Sequence, residues 1–392
     1  MIGRLRGCWL VLVAALLLTT LSATGAAAAT AGVPPAQDPV TTDQCRTAYA
    51  TGTARAGSPW LKNRFSGCYR TKYDYSQYTC DEPACPVLFV VHAVVYTTVT
   101  MAPDDRKVLV THFVDLGAGP DAAPPDMRLG VKFSCAGKGL AGSTAACDVP
   151  LARVSKTLAE WRADPVVAQE YLPQGEDPEN QAPMPYSVPE KQTYYNFDVG
   201  AYAENQPPGR NSVSTAGATF NVRCDVARQL NPQYVGGSDC VFFGLFPTFT
   251  LDRQDVQVAE YAGLIRAAMT NLPSTYPGTS PQKVPGNKGV TPPVTRRFYS
   301  SEVLERHRQA AEQACAEHWG PDYRIRPEGG TNDCAVYPFS TLYEGASSVS
   351  TRRFAVQPVP SAQFTTVLAR LDQYVVENHI LDFDQYWVQV VN

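Results

Sequence analysis

Ten cysteines carry the chemistry that residue type and spacing suggest unaided: Cys45, Cys68, Cys80, Cys85, Cys135, Cys147, Cys224, Cys240, Cys315 and Cys334. Such thiols either hold a metal or join in disulfides. A zinc site needs paired Cys-x-x-Cys or Cys/His spacing, and the sequence has none. An even set in an exported chain reads as disulfides. Spacing alone leaves the connectivity open. Nearest-neighbour pairing gives Cys45 with Cys68, Cys80 with Cys85, Cys135 with Cys147, Cys224 with Cys240 and Cys315 with Cys334, each closing a short loop.

Export is the expectation from the first residues. Arg4 and Arg6 precede an apolar run from Trp9 to Leu21, and small residues follow from Ala23 to Ala31. That order of basic start, apolar middle and small-residue end reads as a secretory signal peptide over residues 1–31, cut near Ala29 or Ala31. The run is shorter than the roughly 20 residues that cross a bilayer. An eleventh cysteine, Cys8, lies before the apolar run and would leave with the signal. No later segment is long and apolar enough to span a membrane, and the secreted, extracellular space is the expected location. A formal charge of −4 over 392 residues gives no basic footprint for nucleic acid.

The elements that must position any site divide the remaining chain. Over residues 32–272, short runs rich in Val, Thr, Tyr and Phe alternate with Gly, Pro, Asp and Asn, which predicts strands and turns. Candidate strands are 87–100, 107–115, 129–135, 194–202, 218–224 and 240–251, and their economical architecture is a mostly β, antiparallel sandwich-like domain. Both faces of 107–115 are largely apolar, which predicts a strand buried on two sides. Residues 157–171 and 255–270 read as helices, and 177–191 as a polar loop. Residues 273–296 are crowded with Pro, Gly, Ser and Thr and read as a linker. Beyond it, a helix starting at Ser300 or Ser301, a strand at 353–359, an amphipathic helix after Pro360 and a last strand at 386–391 predict a small α+β domain over 297–392.

That domain resembles the NucA/NucB-type secreted deoxyribonuclease family of bacteria. The resemblance rests on Cys315, Trp319-Gly320-Pro321-Asp322-Tyr323, Cys334, Tyr337-Pro338-Phe339-Ser340-Thr341, Tyr343-Glu344-Gly345-Ala346 and Ile380-Leu381-Asp382, in family order. Tyr276-Pro277-Gly278 and Val284-Pro285-Gly286 are similar to the run-in of actinobacterial members, a source that the Ala-rich signal also fits. The resemblance implies a hydrolase: magnesium- or manganese-assisted cleavage of DNA phosphodiesters, with a base activating water. It also implies two adjacent acids in a Cys-Asp-Glu-Tyr-Pro-Phe motif, where this chain has Ala335 and Val336. A second polar element, Ser-Asp-Asn in the family, matches Ser361, Ala362 and Gln363. Hydrocarbon side chains neither hold a cation nor accept a proton. Glu344 keeps its family position and is the remaining metal-ligand candidate. Asp333 is a second catalytic candidate, although two residues of extended chain span roughly 6.6 Å. His318 and His379 are candidate bases outside the matched motifs.

From Arg297 onward there are eight arginines and no lysine against twelve acids, a poor balance for phosphate contacts. Arg324 with Arg326, and Arg352 with Arg353, are the candidate local patches for DNA. The expectation is therefore a secreted protein whose nuclease-like module is catalytically impaired, a pseudoenzyme that binds an unknown protein or envelope ligand and needs no cofactor. The competing expectation is an active metal-dependent DNA endonuclease using displaced ligands. A third places the working surface on the β-rich part.

Overall fold

A computed structural model describes residues 38–80, 84–101, 107–117, 123–137, 146–147, 151–174, 193–225, 240–278, 283–298, 300–348 and 353–392. The expected signal peptide, the 177–191 loop and Arg352 lie outside them. Residues 34–392 form one compact unit. In chain order the elements are α1 (Thr42–Ala50), β1 (Trp60–Leu61), β2 (Ser66–Tyr78), β3 (Val87–Met101), β4 (Val108–Leu116), β5 (Arg128–Gly137), β6 (Ala146–Cys147), β7 (Leu151–Thr157), α2 (Leu158–Ala163), β8 (Val166–Tyr171), β9 (Pro173–Gln174), β10 (Thr193–Glu204), β11 (Asn211–Thr215), β12 (Ala218–Cys224) and β13 (Cys240–Phe242). They continue as β14 (Thr248–Asp252), α3 (Ala259–Asn271), β15 (Tyr276–Pro277), β16 (Val294–Thr295), α4 (Ser301–Trp319), β17 (Asn332–Tyr337), β18 (Ala355–Pro360), α5 (Ser361–Glu377) and β19 (Gln385–Val391).

Two antiparallel sheets fill the first part, ordered β1-β2-β3-β4-β8, with β11 also on β2, and β13-β12-β10-β5-β7. Their inner faces share a core, in which Tyr69, Val99 and Val110 of the first sheet meet Phe133, Phe197 and Val222 of the second. Period-two alternation makes this packing possible, since every second side chain points at the opposing sheet. In β4, Val108, Val110, His112 and Val114 are buried while Leu109 is exposed and Phe113 half-buried. The strand is thus covered fully on one face, and the two-sided burial expected from its apolar residues is corrected. The helix expected over 157–171 is corrected too. Thr157 and Glu160 form a capping box that starts α2, but Pro165 cannot continue a helix and β-branched Val166 and Val167 open β8.

Four expected disulfides are present: Cys45–Cys68, Cys80–Cys85, Cys224–Cys240 and Cys315–Cys334. Cys135 is also disulfide-bonded; the side chain of Cys147, its expected partner, lies outside the described residues. Cys45–Cys68 ties α1 to β2, and Cys315–Cys334 ties α4 to β17. In the chain-entropy view a closed loop of the latter size contributes roughly 3 kcal/mol. No helix among the described residues is long and apolar enough to cross a membrane.

The described residues of the stretch 273–296 are built into the fold rather than linking two parts of it. β15 pairs with β18, β16 pairs with β19, and Val284 and Val294 are fully buried. Average composition concealed these two apolar anchors. Gly286, between them, has φ +105°, and a Cβ there would lie 2.2 Å from the Tyr337 hydroxyl, so glycine is required on both counts. The residues read as the end of the β-rich part also belong to the later core. β14 runs parallel to β19, and Phe249, Tyr261 and Ile265 pack in one cluster with Ala335, Tyr337, Val367 and Val388.

Buried charge joins the sandwich to this second core. Asp384, just before β19, accepts from Arg64 at 3.0 Å and from Arg223 at 2.6 Å. Arg223 also reaches Asp225 at 3.1 Å, and the His379 ring lies 2.7 Å from Asp225. His379 has φ +48°, and its carbonyl accepts from both guanidiniums.

A second buried histidine carries a pH dependence. His112 contacts Thr97 at 2.9 Å inside the sandwich, and burial holds its pKa down to about 4. The unfolded chain takes up that proton near pH 6.5, so the group's stabilisation is full above pH ~6.5 and is lost as pH falls to about 4. The loss amounts to about 3 kcal/mol at most. We expect urea midpoints to fall across this window and His112→Gln to flatten the fall; an unchanged slope in the variant would place the dependence elsewhere.

Candidate functional site

Strand β17 decides where the motif side chains go. Alternation sends Ala335 into the core beside Tyr337 and Val359, fully buried, and Val336 to the opposite side. There Val336 floors a groove of about 410 Å³ between α4, β17 and α5, lined also by Leu304, Phe364 and Leu368. The Tyr261 hydroxyl fixes this strand by donating to the Val336 carbonyl at 3.0 Å.

Asp333 lines the same groove, but its carboxylate is engaged. Arg324 reaches Asp333 at 3.0 Å and Glu312 at 3.1 Å, and Arg308 reaches Glu312 and Glu305 at 2.6 Å each. The result is an alternating ladder, Glu305-Arg308-Glu312-Arg324-Asp333, along one wall. Hydrogen bonds from Arg308 hold the Glu305 carboxyl below its ordinary range. Glu305, Arg308 and Glu312 were missed from sequence. Their three- and four-residue spacing on one helix face was the available signal.

Glu344 is elsewhere. It lines a separate pocket of about 300 Å³ with Lys283, Tyr343 and Arg353. Burial pushes its pKa up, and its carboxylate accepts the Thr295 backbone N–H at 3.1 Å. The two remaining acids therefore do not face a common point. Among the described residues no three His, Cys, Asp or Glu side chains gather as metal ligands. The donor set does not fit the magnesium or manganese ion that the resemblance implies: alkyl side chains stand at the motif positions, and a guanidinium covers the nearest acid.

The other matched residues form scaffold. Tyr337 and Phe339 are fully buried, the Tyr337 hydroxyl donates to the Pro285 carbonyl at 2.9 Å, and the Tyr343 hydroxyl donates to Asp382 at 3.1 Å. Asp382 also accepts the Phe298 N–H at 2.7 Å. Gln363 accepts the Glu260 N–H at 2.8 Å, capping α3, which lacks a side-chain cap of its own. The Ser361 hydroxyl lies 2.9 Å from that of Thr331, and Ala362 is exposed at the start of α5.

Neither candidate base is in the groove. His379 belongs to the buried network with Asp225, and His318 stacks on Tyr276 at 4.2 Å in a different cleft. A third histidine, His307, is buried on α4, where its Nδ1 accepts the Ser347 backbone N–H at 3.0 Å. The arginines are largely paired as well. Arg324 and Arg326 are held by Glu312, Asp333 and Glu328, Arg306 by Glu302, and Arg370 by Asp255. Binding phosphate there would mean breaking those pairs.

Compared with known proteins, the chain matches no family model, no curated protein and no solved structure.

Proposed function

We propose that this is an exported binding protein whose nuclease-like C-terminal module has no working hydrolytic centre. The carrying observation is the groove itself: Val336 occupies its floor, while the one motif-adjacent acid, Asp333, is neutralised by Arg324. Disulfides linking distant elements accord with an oxidising destination. An apolar floor beside a wall of paired charges suits a polypeptide segment better than a polyanion, because DNA needs unpaired cations along its path.

Supercoiled plasmid incubated with the mature protein and magnesium or manganese, with chelator as control, tests this reading. No metal-dependent nicking is expected. Nicking that disappears in Glu344→Ala would establish the competing enzyme and remove our reading.

A further inference from the structure

We infer that the cleft at the C-terminal end of α4 is a saccharide-binding site, taking a neutral oligosaccharide. The cleft measures about 720 Å³ and shares no lining residue with the groove floored by Val336. Gly320, at φ +84°, ends α4 and leaves His318 and Trp319 at the helix terminus. His318 stacks on Tyr276 at 4.2 Å, and Trp319 stands edge-on to both rings, at 4.4 Å from His318 and 6.0 Å from Tyr276. Supported in this way, the indole remains 40 % exposed, and Ile325 on the rim is 67 % exposed. Both residues line the cleft, so their exposed apolar surface faces a concave space rather than open solvent.

Four polar groups in the cleft are unused. Trp319 Nε1, the Tyr276 hydroxyl, the Asp322 carboxylate and the Gln357 amide make no hydrogen bond with any described residue. The cleft lining thus combines three aromatic rings with side chains that supply both donors and acceptors. A sugar ring matches that arrangement: its C–H face packs on an aromatic ring while its hydroxyls both donate and accept.

Other ligands match less well. Among the described residues no lysine or arginine lines the cleft and Asp322 does, so phosphates are disfavoured. A proline-rich peptide offers carbonyl acceptors but few N–H donors, so it would leave Asp322 desolvated and unpaired. For a cation, the faces that Tyr276 and His318 turn to each other are already occupied.

Calorimetric titration of the mature protein with chitotetraose, cellotetraose and maltotetraose tests the assignment, beside a proline-rich decapeptide and an oligothymidylate. At least one tetrasaccharide should bind. Trp319→Ala should weaken it roughly tenfold and Gln357→Ala should weaken it measurably, with melting temperatures held near the parent's. Trp319→Phe keeps an apolar face and should retain part of the affinity. The assignment is overturned if no tetrasaccharide binds at millimolar concentration, if binding survives Trp319→Ala unchanged, or if only the peptide or the oligonucleotide binds.

Discussion

Asp384→Asn should lower the unfolding free energy by about 3–5 kcal/mol, because it strands two buried guanidiniums beside a single remaining carboxylate. Arg64 and Arg223 are each about 2 % exposed, so water cannot replace the lost charge. Burial alone would raise the Asp384 pKa; the two arginines overcome it and hold the carboxyl well below the usual carboxylate range. Stabilisation from this group is accordingly complete above the ordinary carboxylate range, and it is lost as pH falls through that range toward the depressed native value. Urea midpoints at neutral pH measure the loss. Adding Arg64→Met to Asp384→Asn removes one uncompensated charge and should recover part of it, giving a non-additive pair. A midpoint within about 1 kcal/mol of the parent in Asp384→Asn would mean that the network contributes little.

The second large effect separates two adjacent positions. Ala335→Asp places a carboxylate in a hydrophobic cluster with no cation in it, and we expect a loss of several kcal/mol, enough to abolish folding. Val336 is also buried, in a separate apolar cluster, but it lines the groove, so the longer side chain of Val336→Glu has space to reach water and should cost less than Ala335→Asp, by about 1–2 kcal/mol. Yield of folded protein and urea midpoints of the two single variants distinguish them. Equal tolerance would show that β17 does not alternate as described. Combining Ala335→Asp with Val336→Glu should therefore yield an unfolded chain without nuclease activity.

Much of the architecture was legible where local pattern and tertiary demand agree. Phe364, Val367, Leu371 and Val375 announce α5 by their spacing, and Thr219 to Cys224 announce β12 by alternation. Failures came where a distant partner decides. Val294 and Thr295 look like loop until β19 supplies their hydrogen bonds, and Tyr276 and Pro277 until β18 does. For the site, the chemistry of Ala335 and Val336 could be read directly, but their opposite directions could not, since strand phase depends on which face meets the core. The ladder from Glu305 to Asp333 joins a helix to a strand through Arg324, a link invisible to local spacing. Gln363 looked like a depleted ligand position and instead supports a neighbouring helix, which only contact across the fold reveals.

The parallel alignment of β14 with β19, described above as a feature of the second core, also bears on how the molecule reaches its native state. Two segments separated by most of the final third of the polypeptide must meet before Phe249 and Val388 can be covered, and such non-local closure is entropically slow. Until then, that apolar surface stays open to solvent. A newly made chain would thus be most open to aggregation before this closure.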